Sequence, residues 1–322
     1  MPQRARIRLS LFSTLALAVP VAACGGVDGG EAGPDAAVAG AAPRIVATTP
    51  ADGATGVAAD ATITIAFSEP MDAASVAAAL DAAALGEVAL AWNAAGDQLT
   101  ITPAAPLAYA TGAGLDPAAV AARAYAISLG TAATDRTGDG LVAAGALRFT
   151  TLKELAWTTS LDDAHSATVT PATTTPSTSG PLGVGDDRNN QPHRALLTFD
   201  RDRMPAATVA IASARVTAQQ LDPVGSPWAL GAAISLDHVA FTPPSAAAFA
   251  STSFATMGEF GTRLNLAPSL DVTAALEADR AARNRYTQFR LSLPTATDAD
   301  GATDEAQLDR ASVALAIRYL VP

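Results

Sequence analysis

Between residues 44 and 152 apolar and polar positions alternate with a period of two. Ile63, Ile65 and Phe67 fall on one face of one segment, and the same spacing recurs in Val88, Leu90 and Trp92, in Leu99 and Ile101, in Tyr125, Ile127 and Leu129, and in Leu147 and Phe149. A period of two places alternate side chains on opposite faces of an extended chain, so these segments predict half-buried antiparallel strands separated by Gly, Pro and Asp turns. One stretch breaks the rhythm. Residues 73–85 are alanine-rich and predict a short helix after the Pro70-Met71-Asp72 corner. Roughly 100 residues of such strands suit one small sandwich.

The pattern resumes after Lys153. Residues 193–200 put Ala195, Leu197 and Phe199 on one face, and residues 209–218 alternate through Val209 and Ile211 and then, after a change of phase, Ala214 and Val216. Further strands are expected at 235–241, 264–266, 288–293 and 312–319, and a short helix at 270–279 with Asp271 or Thr273 as its cap. The Ser/Thr/Pro-rich residues 160–180 admit two readings, an interdomain linker or an edge strand at 167–170 followed by a long loop. The second is preferred because Trp157 would need burial. Many short strands with no βαβ rhythm predict a jelly-roll sandwich.

The front of the chain follows a different grammar. Arg4, Arg6 and Arg8 precede an apolar run that closes on Val21-Ala22-Ala23-Cys24, small residues before the only cysteine of the protein. Such an arrangement marks an export signal. The run from Leu9 to Ala23 falls short of the about 20 residues a membrane span needs, and it contains Ser10, Ser13, Thr14 and Pro20. A conventional cleaved signal with an incidental cysteine is the other reading. Val21 to Cys24 resembles the lipobox of bacterial lipoproteins, which implies lipidation of Cys24 and a mature chain that starts there. Residues 25–43, rich in Gly and Ala with no apolar period, then read as a flexible tether. With no second cysteine, no intramolecular disulfide can support the fold.

Charge narrows the partners. The formal net charge is −11, and loss of a leader with three arginines and no acid makes the remainder more acidic still. That surface repels phosphate backbones and anionic headgroups, which argues against a nucleic-acid partner. Lys153 is the only lysine, leaving Schiff-base and Ser-Lys chemistry a single badly placed candidate. Gly 24 and Pro 21 with only 5% aromatic residues fit short elements joined by many turns, with cores resting on Val, Ile, Leu and a few Phe.

Two family resemblances sharpen the picture. The run TTPADGATGVAADATITIAFSEPMDAASV, followed by Leu99-Thr-Ile-Thr-Pro, Asp135-Arg-Thr-Gly-Asp-Gly-Leu and Leu147-Arg-Phe-Thr-Thr, resembles the bacterial Ig-like domain of the SbsA type. This implies a spacer or presentation module of an exported protein, with no catalytic residues to carry over, and against that pattern residues 112–123 look like an insertion before the strand at Tyr125. Gly183-Val-Gly185, Arg194-Ala-Leu-Leu-Thr-Phe-Asp200, Leu270-Asp-Val-Thr273, Gln288-Phe-Arg-Leu-Ser-Leu293 and the acidic loop with its final strand to Tyr319 resemble DNRLRE-type jelly-roll domains. That resemblance implies a carbohydrate-binding-module fold and attachment to polysaccharide or matrix. The expected organisation is therefore all-β: signal peptide 1–23, tether 24–43, Ig-like β-sandwich 44–152 and jelly-roll β-sandwich 153–322, with short helices in connections.

Candidate chemistry is sparse. Asp298, Asp300, Asp304 and Glu305 form the densest set of hard oxygen ligands, and Gly301 permits a sharp turn among them, so a structural calcium is one reading and a solvated hairpin loop the other. The spacing is not that of an EF-hand. Trp228 in Gly225-Ser-Pro-Trp could stack on a sugar ring or anchor the core. Asp186, Asp187, Asp200 and Asp202 give no sign of the two carboxyls at a defined separation that glycoside cleavage needs. His165, His193 and His238 show no paired-ligand spacing, and Asp135 and Asp139 read as a turn. No GxSxG elbow, Walker loop or dinucleotide fingerprint is present. No catalytic residues are assigned. The sequence thus predicts a non-enzymatic surface protein, lipid-anchored to the bacterial cell envelope at the outer membrane or cell surface. It would bind polysaccharide or matrix, with a purely structural spacer and a glycan hydrolase as the alternatives.

Overall fold

The computed structural model describes residues 41–172, 174–261 and 269–322. Cys24, the tether up to residue 40 and the strand expected at 264–266 lie outside the described residues. The described residues are all-β in architecture and belong to one compact unit. Among the described residues, no helix is long and apolar enough to cross a membrane.

In the N-terminal half the strands are β1 (Ile45–Thr49), β2 (Ala54–Val57), β3 (Ile63–Phe67), β4 (Leu80–Asp81), β5 (Val88–Trp92), β6 (Gln98–Pro103), β7 (Ala110–Ala113), β8 (Ala124–Leu129) and β9 (Gly145–Thr151). One sheet runs β1-β3-β6-β5 and a second runs β2-β9-β8-β4. The alternation determines what lies between them: Ile63, Ile65 and Phe67 of β3, Leu99 and Ile101 of β6, Tyr125, Ile127 and Leu129 of β8, and Leu147 and Phe149 of β9 are all buried in one core. On β5 only the outer two of the three predicted positions pack inward. Trp92 stacks on Phe67 at 5.8 Å between ring centroids, while Leu90 is 37% exposed on an edge strand with one neighbour.

The helix expected over 73–85 is shorter. It forms as α1 (Ala73–Ala79), capped by Asp72, whose carboxylate accepts the Ser75 N–H at 2.7 Å. Leu80 and Asp81 then leave the helix to pair with Leu129 and Ser128 on the edge of β8, and a single 3-10 turn follows at Ala83–Leu85. Alanine is the strongest helix former, but intrinsic propensity yields to tertiary context and a short isolated helix is marginal, so a strand edge with unpaired backbone groups prevails.

The second half comprises β10 (Lys153–Ser160), β11 (Ala167–Val169), β12 (Leu182–Asp186), β13 (Pro192–Asp200), β14 (Ala210–Thr217), β15 (Ala233–Val239), β16 (Ala255–Gly261), β17 (Ser269–Asp271), β18 (Tyr286–Ser292), β19 (Asp304–Leu308) and β20 (Ala314–Val321). Helix α2 (Ala246–Phe249) follows β15 and helix α3 (Thr273–Ala281) follows β17. The sheets run β17-β14-β20-β10-β7 and β16-β15-β18-β13-β12-β19, with β11 alongside β13. A single core that includes Leu155, Phe199, Phe260, Phe289, Ile317 and Tyr319 joins the two layers. The phase change in 209–218 is a β-bulge: the register of β14 against β20 slips between Ile211 and Ser213, which returns Ala214 and Val216 to the core, while Val209, just ahead of the strand, is 46% exposed.

Strand β13 is buried on both faces rather than one. Ala195, Leu197 and Phe199 face the main core, and Leu196 meets a satellite cluster of Ala167, Val169, Val239, Phe241, Ala248 and Phe249, which β11 and α2 help to form. The segment at 167–170 is thus a strand, Ala167–Val169, and not only a linker. The expected helix at 270–279 starts three residues later, because Leu270 and Asp271 belong to β17; Asp271 still accepts the Thr273 N–H at 2.9 Å. Trp157 is half-buried against the core, with the Arg203 guanidinium 6.0 Å above its ring.

Residues 112–123, read as an insertion, fasten the two halves together. Strand β7 adds to the C-terminal sheet as a parallel neighbour of β10, with Ala110 opposite Lys153 and Ala113 opposite Ala156. Beyond it the Gly114 N–H donates to Ala156 O at 2.9 Å, the Tyr319 hydroxyl donates to Gly114 O at 2.8 Å, and the Lys153 ammonium donates to Pro117 O at 2.9 Å. Leu115 and Val120 cover the second core. Gly112 makes the crossing tight, since a Cβ there would stand 2.3 Å from Val120 Cγ2.

Candidate functional site at an acidic corner

Strand β12 ends on Asp186 and strand β19 begins on Asp304, and the antiparallel register sets the two opposite each other. Asp298, from the loop that leads into β19, approaches both. One carboxylate oxygen from each of Asp186, Asp298 and Asp304 lies within 4.8 Å of the others. Asp186 is fully buried and Asp304 is 3% exposed, while Asp298 is exposed. Neither oxygen of Asp186 has a hydrogen-bond partner. Asp304 accepts a short hydrogen bond from the Ser226 N–H.

Glycine makes the corner close-packed. Gly225 has φ +65°, and a Cβ on it would sit 2.0 Å from Thr303 O and 2.3 Å from Asp304 Oδ1; on Gly185, at φ +148°, it would sit 1.9 Å from Asp304 O. Any side chain at either position would push these segments apart. The loop 298–303 is tied across to the 187–191 turn by the Gly301 N–H, which donates to Asn190 Oδ1 at 2.9 Å.

Of the four acids singled out in the sequence, the fold brings together Asp298 and Asp304 and sends two elsewhere. Asp300 turns back on its own loop to accept the Ala302 N–H at 2.6 Å. Glu305 follows Asp304 on a strand, so its side chain takes the opposite face. There it meets His193 Nδ1 at 2.8 Å and accepts from Gln307 Nε2 at 2.9 Å. Asp186 takes the third place. It ends an apolar strand and is followed by a turn acid, Asp187, but its pairing with a residue 118 positions later has no local signal.

The His193–Glu305 pair has a defined pH dependence. The hydrogen bond to Glu305 raises the His193 pKa above its ordinary 6.5, against the effect of burial. Burial pushes the Glu305 carboxyl up, but the hydrogen bonds from His193 and Gln307 and the imidazolium charge outweigh it, so its pKa falls below 4.5. The raised histidine contributes stability below about pH 6.5 that is lost as pH rises through its folded pKa; the lowered glutamate contributes above about pH 4.5 and is lost as pH falls through its own. Stability from this pair is therefore greatest at mildly acidic pH. His193→Gln should flatten the alkaline side of a plot of melting temperature against pH between 5 and 8, and a wild-type profile identical to the variant's would refute the coupling.

The remaining candidates have structural surroundings. Trp228 sits in a 3-10 turn, Pro227–Ala229, half-buried against the main core. Asp187 accepts the N–H groups of Asn189 at 2.8 Å and Gln191 at 2.9 Å, and Asp200 and Asp202 both meet Arg285, at 2.7 and 3.1 Å. Each histidine pairs with a different carboxylate: His165 with Asp162, His193 with Glu305 and His238 with Asp279. In the N-terminal half the Asp135 carboxylate accepts the N–H groups of Thr137 and Asp139, both at 2.8 Å, which closes the turn between β8 and β9.

No curated protein matches this chain. Among solved structures, the chain is similar to the S-layer protein rSbsC(31-844), with 10% identity and a TM-score of 0.23, over 58% of this chain and 29% of that one. It is similar to domains 1-6 of the surface layer protein SbsC at 10% identity and a TM-score of 0.24, with the same coverage. The chain thus spans under a third of the length of either. Residues 39–151, which take in the whole N-terminal pair of sheets, match the family model described as the bacterial Ig-like domain.

Proposed function

We propose that this protein is an exported, lipid-tethered and non-catalytic component of the cell surface. In this reading an Ig-like spacer carries a jelly-roll module that adheres to polysaccharide or matrix. The observation that carries it is the construction of the chain: an Ig-like sandwich stitched by β7 to a second sandwich, an arrangement suited to holding a surface away from its attachment point. Of the four carboxylates weighed for acid/base work, Asp187 is engaged within its own turn and Asp200 and Asp202 on Arg285, while Asp186 is fully buried away from any substrate.

Cys24 supplies the attachment point in this reading. One acyl chain gives only marginal binding, and two or more give a stable anchor. Cells fed a labelled fatty acid should place label on the wild-type protein and none on Cys24→Ala, and the variant should leave the membrane fraction. A wild-type chain that takes no label and stays in the cytosol would sink the proposal. Binding of the purified full chain to a glycan panel distinguishes adhesion from a purely structural spacer, which would retain none. Turnover of any glycan would overturn the non-catalytic assignment.

A further inference from the structure

The geometry points to a divalent cation, calcium, held between β12 and β19 by Asp186, Asp298 and Asp304. Three carboxylates lie within 4.8 Å of one another, two of them removed from water, and the fully buried one has no hydrogen-bond partner for either oxygen. A solvated hairpin loop does not account for that. An ionised carboxylate buried without a partner is costly, and three like charges at this separation add repulsion. A dication relieves both. The donors are all carboxylate oxygens with no nitrogen or sulfur, which suits calcium rather than zinc. Three aspartates supply up to six oxygens, and the exposed side of Asp298 leaves room for water to complete six to eight ligands.

The site is built from distant pieces of chain. Asp186 ends a core strand, Asp304 begins its neighbour, and the Ser226 N–H fixes the Asp304 carboxylate from a third segment. The 224–226 segment is itself locked to β19 by reciprocal backbone hydrogen bonds between Val224 and Glu305, both 2.9 Å. Bound cation would fasten the 298–303 loop onto this frame. The inference does not depend on lipidation or on glycan binding.

The test uses the purified full chain, stripped with a chelator and then titrated with calcium chloride. An affinity in the range of extracellular calcium modules, a dissociation constant of about 10−4–10−3 M, is expected. Calcium at about one hundred times that constant should raise the melting temperature by roughly 5–10 °C. Asp186→Asn and Asp304→Asn should each abolish the calcium-dependent shift. Without calcium Asp186→Asn should melt no lower than wild type, since it removes an unpartnered buried carboxyl from the acidic corner. Asp300→Asn, outside the group, should keep the full shift. Terbium luminescence at the same site gives a second readout that does not depend on folding stability. A wild-type chain with no calcium-dependent shift and no terbium signal overturns the proposal, as does a shift that survives Asp186→Asn. A larger response to magnesium than to calcium overturns the choice of metal.

Discussion

Phe289→Ala should destabilise the C-terminal sandwich by about 3–5 kcal/mol, seen as a fall in the denaturant midpoint. Phe289 lies on β18 at the centre of the seven-stranded sheet, fully buried. Its ring meets Phe199 edge-on at 6.2 Å and His238 at 5.8 Å. Phe199 is on the neighbouring β13, opposite Thr287, and His238 on β15 is directly opposite Phe289, so the ring is gripped from both adjacent strands. Neither strand can move to fill the space without breaking its own ladder, which places the cost toward the upper end. Phe254→Ala makes the control: that ring is 65% exposed, and its loss should cost less than about 1 kcal/mol. Equal losses for the two would contradict the packing described.

Arg290→Met should cost a similar amount, about 3–5 kcal/mol, for an electrostatic reason. Arg290 donates to Asp237 Oδ2 at 2.9 Å and to Ser251 O at 2.5 Å, and both members of the pair are 8% exposed. Removing the guanidinium leaves the Asp237 carboxylate buried with the Thr256 hydroxyl, at 2.7 Å, as its remaining hydrogen-bond donor. The double variant Arg290→Met with Asp237→Leu removes the stranded charge as well and should recover much of the loss, since an apolar pair can replace a buried ion pair at little cost. A double variant as unstable as the sum of the two single ones would show that the pair acts through shape and not charge.

Strand positions were legible wherever the signal was local. The alternation in Ile63, Ile65 and Phe67 or in Ala195, Leu197 and Phe199 depends only on neighbours two residues apart, and even the bulge in β14 announced itself as a slip of phase. Pairing is a different matter. Strand β7 is Ala-Thr-Gly-Ala, with no apolar side chain larger than a methyl, so nothing in it marks a strand, still less one that joins a sheet from the other half of the chain. The acidic corner was half legible for the same reason. Asp298 and Asp304 are close in sequence and could be grouped by eye, but Asp186 reaches them only through the register of β12 on β19, and Glu305 was excluded by the alternation of a strand not apparent in so acidic a run.

The parallel seam between β7 and β10 decides how this protein can be dissected. A fragment cut at residue 152, where the two cores divide, would strip β10 of one neighbour along Lys153–Ala156 and take away Leu115 and Val120, which cover apolar surface beside Leu155. The bared strand would offer its backbone to any other copy in the tube, and clumping of such a fragment would be a product of the scissors rather than a property of the parent. Ligand screens on the isolated second half are exposed to that artefact. The shortest piece that keeps the ladder occupied retains both sandwiches.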